Sequence, residues 1–443
     1  MTNFPHSENL PNVSLPFKHY KVGGAVRDKL LQQFDSDIQI KEIDWVVVGS
    51  STQQMLDLGF RQIGKNFPVF LHPKTNEEYA LARLEKKQGH GYAGFTFNTS
   101  SKVSLEEDLS RRDLTINAIA YDPKSKKFID PYNGKKDLLQ YTLRHISDAF
   151  SEDPLRVFRV ARFYARFAYL GFNVAPETIE KMRQICQTDE LKHLSAERVW
   201  RETQLALETR SPHLFFKLMY EVGGLKYWFP EIHNLFGVPQ PPKWHPEIDC
   251  GIHTLLVLEQ ASKLTNDITV RFCALTHDLG KATTSKEILP SHRGHEKRGV
   301  NLVKNLCERL LIPNHFKKLA IYSAQWHTHF HRLNEMRADT YLKMLLSIDF
   351  FHHPQNLIQL LQVSESDSKG RTGFGYKPFQ PKIFWLNLAH KMKELELSKP
   401  TQDPIFQAME NTQKKDYLYK KRLNVVRNVL QQESLLIANS ENE

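Results

Sequence analysis

Residues 41–49 read Lys41-Glu42-Ile43-Asp44-Trp45-Val46-Val47-Val48-Gly49. A run of aromatic and β-branched residues closed by glycine predicts a short strand. Glu42 and Asp44 are two residues apart, and in a strand such positions share a face. Paired carboxylates on a rigid strand can hold Mg²⁺ ions about 3.5–4 Å apart, activating an attacking hydroxyl and stabilising a leaving pyrophosphate. The plainer alternative is a pair of solvent-facing acids on an edge strand.

Upstream, Lys21-Val22-Gly23-Gly24-Ala25-Val26-Arg27-Asp28 places two glycines where a strand would turn into a helix. Such a turn lets backbone N–H groups approach a phosphate, with Arg27 as a charge partner on the new helix. A simple tight turn would use the same glycines. Between Arg27 and the strand, Asp35-Ser36-Asp37 forms a second acidic pair that competes for the metal role. Downstream, Asp108-Leu109-Ser110-Arg111-Arg112-Asp113-Leu114-Thr115-Ile116-Asn117-Ala118 sets two guanidinium groups beside an acid. Arginine forks suit a triphosphate, and the adjoining acid suits a ribose hydroxyl.

Glu152-Asp153-Pro154-Leu155-Arg156-Val157-Phe158-Arg159 opens the first long helical pattern, with proline at an early position. Asp153 and Arg156 are three apart on one face. They can read a base edge, the acid accepting from an exocyclic amine and the guanidinium donating, or they can form an intrahelical ion pair.

These motifs divide the chain into an expected loose arm over 1–17, an α/β head over 18–145 and a helical neck and body over 146–240. A histidine-rich segment over 241–370 follows the joint Pro239-Gln240-Pro241-Pro242, and a helical tail occupies 371–443. The whole is predicted to be predominantly helical. In the body, Ser195 should cap a helix on which Arg198 and Arg201 are structural or line the path of an RNA acceptor stem. The tail's Lys414, Lys415, Lys420, Lys421 and Arg422 read as a solvated helix face or a phosphate contact.

In the histidine-rich segment, His253, the adjacent pair His277-Asp278, then His292, His295 and His327 are followed by Asp367. Imidazoles and carboxylates on successive helices can build a nitrogen and oxygen site for Mn, Fe, Co, Ni or Zn that activates water for phosphoester hydrolysis. A lone histidine on an apolar helix is more often a core residue; the adjacent His-Asp pair between an earlier His and a later Asp favours a metal.

The composition is compatible with these readings. The 443 residues carry 60 Lys+Arg against 50 Asp+Glu, a net charge of +10 that suits a polyanionic partner. With 40% hydrophobic and 25% charged residues the chain is an ordinary globular one, which excludes a disordered polymer. No apolar run reaches the roughly 18–20 residues of a membrane span, and the N-terminus does not read as a secretory signal, so the expected location is the cytoplasm. Cys186, Cys250, Cys273 and Cys307 lack any CxxC spacing, which argues against a disulfide framework or a zinc ribbon.

Taken in order, Gly-Gly-Ala-Val-Arg-Asp, the acidic pair before Trp-Val-Val-Val-Gly, Arg-Arg-Asp-Leu-Thr-Ile-Asn-Ala, Asp-Pro-Tyr-Asn-Gly and Glu-Asp-Pro-Leu-Arg-Val resemble the bacterial class II CCA-adding tRNA nucleotidyltransferases. The resemblance runs from Tyr20 over nearly the whole chain. It implies a head of the polymerase-β nucleotidyltransferase type, an all-α neck and body, and protein-directed addition of CTP and then ATP to the tRNA acceptor arm and 3′ end. Carried over by position, Gly24 and Arg27 would contact the nucleotide, Arg112 the triphosphate, and Asp113 would lie near the ribose. Asp153 and Arg156 would meet the base edge with Arg159 supporting them, and Glu42 and Asp44 would hold magnesium as the catalytic pair.

This chain departs from the family at the first metal position, where Glu42 stands in place of Asp, and in the extra residues before the strand.

The histidine-rich segment resembles the HD-type phosphohydrolase domain fused to such heads in one bacterial subgroup. The resemblance implies a site formed by His253, His277, Asp278 and Asp367, with His292, His295 and His327 as additional candidates. The metal would be a transition metal such as Ni²⁺ or Mn²⁺, and the activities phosphatase, 2′,3′-cyclic phosphodiesterase and 2′-nucleotidase, with His277 and Asp278 catalytic. The protein is expected to be a monomer or homodimer. The rivals are a poly(A) polymerase on the same head and a metal-dependent phosphohydrolase whose head only binds tRNA.

Overall fold

Strand β2 (Asp44–Val48) lies inside a seven-stranded mixed sheet, and its apolar run is explained by burial on both faces. Trp45 and Val47 pack with Met55, Phe60, Phe70, Tyr79 and Leu81, while Val46 packs on the opposite face with Val22, Leu109 and Ala120. The computed structural model describes residues 15–40, 42–63, 69–87, 95–98, 101–333, 335–398 and 402–440. The expected loose arm lies outside the described residues up to position 14.

With β1 (Lys18–Val22), β3 (Arg61–Ile63), β4 (Val69–Leu71), β5 (Glu78–Leu81), β8 (Ala120–Asp122) and β9 (Lys127–Ile129), the sheet has the order β3-β4-β5-β2-β1-β8-β9. Strands β2 and β5 run parallel, and their register sets Asp44 beside Glu78. The antiparallel pairing of β1 with β2 sets Asp44 beside Val22, next to the glycine turn. A separate hairpin joins β6 (Leu84–Lys87) and β7 (Phe95–Asn98).

Helix α1 (Gly24–Leu31) follows β1 through Gly23, whose φ of 68° is left-handed. That backbone conformation calls for glycine, and a Cβ there would also come within 3.0 Å of Arg112 Nη1 and displace its tip. The short helices α2 (Thr52–Asp57), α3 (Leu105–Ser110) and α4 (Gly134–Leu139) complete the head, the first two opening on full capping boxes at Ser51 and Ser104.

The body is α5 (Leu155–Phe167), α6 (Pro176–Gln187), α7 (Ala196–Leu207), α8 (His213–Glu221) and the single-turn α9 (Leu225–Trp228). Helix α5 packs against α7 and α8. Ser195 precedes α7 at the cap position but makes no side-chain cap bond.

The chain forms two compact units, Met1–Trp228 and Phe229–Glu443. The second comprises α10 (Pro230–His233), α11 (Cys250–Leu264), α12 (Ile268–Thr276), α13 (His295–Arg309), α14 (Asn314–Phe330), α15 (Ala338–Ser347), α16 (Gln355–Lys369), α17 (Pro381–Leu397), α18 (Pro404–Gln407) and α19 (Asn411–Ser440). Helices α11, α12, α14 and α16 pack on one another around the middle of this unit, with α13 laid along α14. Asp249 and Asp267 cap α11 and α12, each accepting from backbone N–H groups of the first turn.

Part of the basic run of α19 is partnered locally. Lys420 pairs with Asp416 at 2.6 Å, Lys421 lies 4.9 Å over the Tyr417 ring, and Arg422 pairs with Glu396 at 2.9 Å. All four cysteines are buried and free, and among the described residues no helix is long and apolar enough to cross a membrane.

Candidate functional site

Within the first unit, a cavity of about 600 Å³ opens beside the β1–α1 turn. Gly24, Arg27, Arg112, Asp113, Asp153, Arg156 and Arg159, widely separated in sequence, all line it, together with Asp44. Nine arginines and four acids reach its wall, so the cavity favours a multiply charged anion.

The arginines are held in place by acids that are themselves buried. Asp108 receives Arg111 Nη2 at 2.6 Å and lies 3.5 Å from Arg112 Nη2. Arg112 Nε is buried without a hydrogen-bond partner, which leaves this guanidinium with capacity to spare. Asp113 accepts from Arg159 Nε at 2.7 Å, from Asn117 Nδ2 at 2.8 Å and from the Leu114 N–H. Burial alone would raise the Asp113 pKa; Arg159, the Asn117 hydrogen bond and Arg156 together outweigh it and hold the carboxyl well below the usual range. Glu202, from α7, pairs with Arg162 and lies 3.7 Å from Arg159.

Three of the expected residues already have partners within the folded chain. Arg27 is not a free charge partner at the helix start: it is 3% exposed, bonded to Asp28 and Asn117 and stacked against Phe163 and Phe167. Burial pushes its pKa down to about 10. Arg156 donates to the Ala149 and Arg111 carbonyls, and its Asp153 neighbour pairs instead with Arg198 at 2.8 Å. Arg198 therefore belongs to the cavity wall. Sequence offers no signal for that pairing, since Asp153 precedes α5 and Arg198 lies on α7, 45 residues on.

Strand β2 begins at Asp44, so Glu42 precedes the strand and is not on its rigid face as expected. The two acids share a second cavity of about 370 Å³ with Arg162 and Arg166. Crowding by the surrounding protein raises the Asp44 pKa, with Arg112 opposing and Glu78 and Glu42 adding to the rise. Glu78 was missed in the sequence; its signal is an acid at the start of the strand that pairs with β2. Asp35 accepts from the Tyr169 hydroxyl at 2.7 Å and from the Asp37 N–H, so the competing acidic pair serves to anchor its own loop.

The second unit gathers the histidine series. His253 comes from α11, His277 and Asp278 follow α12, His295 starts α13, His327 lies on α14 and Asp367 on α16. Asp278 Oδ1 is 3.2 Å from both His295 Nε2 and His327 Nε2, while its Oδ2 is 3.2 Å from His277 Nε2 and 2.6 Å from Lys281 Nζ. Asp367 Oδ1 lies 3.1 Å from His253 Nε2, and Oδ2 lies 2.9 Å from His331, a residue missed in the sequence.

Burial would raise both carboxyl groups; Lys281 and His277 hold Asp278 far down, and His253 and His331 do so for Asp367. His277 and His295 are raised by Asp278 against their burial. A Cβ on Gly280 would fall onto the His295 carbonyl, so glycine lets α13 close over the His277-Asp278 turn. His292 is the exception. Its ring contacts Thr284 Oγ1 at 2.8 Å and the Pro239 carbonyl at 3.0 Å, away from the ligand groups, and it serves to hold the loop.

Comparison with known proteins places this arrangement. The Poly A polymerase head domain matches residues 19–144, "Probable RNA and SrmB- binding site of polymerase A" matches 171–236, and the HD domain matches 251–352. The Multifunctional CCA protein of Thioalkalivibrio sulfidiphilus is 54% identical over 373 residues, covering 84% of this chain and 90% of that protein. The chain belongs to the multifunctional CCA protein family. It is a CCA-adding nucleotidyltransferase with an HD domain.

Solved structures agree in fold at low identity. A CCA-adding enzyme in complex with ATP has a TM-score of 0.62 at 17% identity, covering 96% of this chain and 90% of that one. The Thermotoga maritima CCA-adding enzyme complexed with tRNA has a TM-score of 0.58 at 17% identity, covering 94% and 91%. The polymerase-β-type head, helical body and HD domain expected from sequence are thus the observed fold.

Proposed function

We propose that this CCA-adding enzyme completes and repairs the 3′-terminal CCA of tRNA from CTP and ATP, releasing pyrophosphate, and that its HD domain is a metal-dependent phosphohydrolase acting on phosphate and 2′,3′-cyclic phosphate ends, with 2′-nucleotidase activity. The observation that carries the first part is the arginine-rich cavity into which the head and neck motifs converge. The 3′ hydroxyl of the tRNA attacks the α-phosphorus in line; the new P–O bond forms as the bond to the bridging oxygen breaks, and the hydroxyl proton leaves to solvent or to a carboxylate. Most of the rate comes from positioning and from charge already in place.

In this reading Arg112, with its unpartnered Nε, holds the triphosphate, and Gly24 lets the backbone come close to it. Asp113 and Arg159 form a fixed pair beside the ribose. Asp153 and Arg156 meet the base, which requires Asp153 to share or exchange its Arg198 partner. Asp44 and Glu42, with Glu78 beside them, are hard oxygen donors that fit Mg²⁺. Magnesium, when bound, supplies neutralisation of the developing charge.

The HD cluster fits a transition metal such as Ni²⁺ or Mn²⁺. Its donors are imidazole nitrogens and carboxylate oxygens, and His277 Nε2 and Asp278 Oδ1 are buried without a hydrogen bond. His253, His277, Asp278 and Asp367 would hold the ion, and His295 and His327 form a further group across Asp278. The metal would supply an activated water. With tRNA, CTP and ATP as its substrates, the enzyme would act in the cytoplasm.

Incubation with Mg²⁺, CTP, ATP and a tRNA lacking its CCA, followed by sequencing of product ends, tests the reading. Addition of CCA is the expected outcome. Unextended tRNA from folded protein would sink the transferase assignment, and a long A tail would select a poly(A) polymerase.

A further inference from the structure

The loop before α11 carries a buried acid that neither the transferase nor the proposed ligand set uses. Glu247 has a side chain only 2% exposed. Its Oε1 lies 2.8 Å from His253 Nδ1 and 3.1 Å from His245 Nδ1, and its Oε2 accepts from the Thr372 N–H at 3.2 Å. Despite that distance His253 Nδ1 makes no hydrogen bond, so the contact with Glu247 is one of charge. The His245 ring stands edge-on to the His253 ring with centroids 4.6 Å apart.

The backbone is bent to achieve this placement. Ile248, next to Glu247, has a φ of 60°, a conformation that β-branched residues avoid. Its side chain is 47% exposed, so its own burial does not compensate. What the turn accomplishes is to aim Glu247 inward while Asp249 reaches the first turn of α11, accepting from the Ile252 N–H at 2.8 Å.

We infer that Glu247 is a positioning residue for the HD site: its carboxylate charge, 2.8 Å from His253 Nδ1, favours the proton on that nitrogen, so that the Nε2 lone pair faces the Asp278 and Asp367 oxygens, with His245 buttressing the ring. The inference rests on the reading of that cluster as a metal centre. A carboxylate on the far nitrogen fixes tautomer and orientation and raises the basicity of the coordinating one. With the proton on Nε2 instead, His253 would merely donate to Asp367, 3.1 Å away, and offer no lone pair.

The test uses the full chain stripped with chelator, titrated with Ni²⁺ by equilibrium dialysis and with Co²⁺ by visible absorption. Glu247→Gln should weaken Ni²⁺ binding about 10- to 100-fold and shift the Co²⁺ bands, with the unfolding midpoint in EDTA unchanged. Glu247→Asp should recover part of the affinity. Wild-type affinity and an unaltered Co²⁺ spectrum in Glu247→Gln would overturn the inference. So would a fall in the EDTA midpoint large enough to account for the loss, since the role would then be structural. Failure of the wild-type chain to bind Ni²⁺ or Co²⁺, or undiminished binding by Asp278→Ala, would instead sink the metal-centre reading.

Discussion

In the head, the buried acids Asp28, Asp108 and Asp113 each have a guanidinium within 3.0 Å. In the HD domain, the buried acids Asp278 and Asp367 face mainly imidazoles, with Lys281 against Asp278. Guanidinium stays charged at any working pH, so the head's buried acids keep their counter-charges with nothing added. Imidazole is charged only when protonated, so the HD cluster is balanced by protons or by a bound cation. One site is a finished electrostatic scaffold with a few acids, Asp44 among them, left for an ion; the other is completed by its ion.

The strongest challenge to that comparison is a pair of substitutions. Asp44→Ala should lower CCA extension by more than about 10³-fold while leaving the Ni²⁺- or Mn²⁺-stimulated phosphatase activity near wild type. Asp278→Ala should do the reverse. Normal extension by Asp44→Ala would show that the head's ion is held elsewhere, and loss of both activities in either variant would show that the sites are not separable.

A second substitution asks whether the head scaffold is balanced by its own charges. Asp113→Asn leaves Arg159 beside a neutral amide, and loss of one member of a buried pair costs about 3–5 kcal/mol. Arg159 keeps contact with water, its side chain being 36% exposed, and still faces Glu202 at 3.7 Å, so a smaller loss, about 1–2 kcal/mol, is expected in urea unfolding. An unchanged unfolding free energy would mean that the pair is neutral to stability and that the scaffold is balanced elsewhere.

The limits of the sequence follow the same division. The head motifs name residues that converge on one cavity, because glycine turns, strand runs and arginine clusters are local signals. What they cannot give is the partner across space. Arg27 and Arg156 look like free donors until Phe163, Phe167 and the carbonyls of Ala149 and Arg111 close on them. Glu78 acquires its place only from the β2–β5 register, and Arg198 only from the packing of α7 on α5. In the HD segment the ligand types were legible because His-Asp adjacency is unusual. Residue type alone could not separate His292, which holds a loop, from His295 three residues on. Glu247 and His331 carry no local signal.

His292 gives the finest test of the contrast, because its pKa is lowered where those of His277 and His295 are raised. Burial, assisted by Lys281, lowers its pKa from the ordinary 6.5 to about 4. A histidine depressed in the fold takes up its proton more readily in the unfolded chain, so unfolding is favoured as pH falls. Its contribution is fully present above about pH 6.5 and is lost progressively down to about pH 4, which amounts to about 2 kcal/mol at pH 5. His277 and His295 shift in the opposite direction, so the effect must be read as a difference between variants. In EDTA, the stability lost between pH 7 and pH 5 should be smaller for His292→Gln than for wild type. Equal losses would mean that His292 titrates freely, and that the loop it ties to Pro239 and Thr284 opens without unfolding the domain.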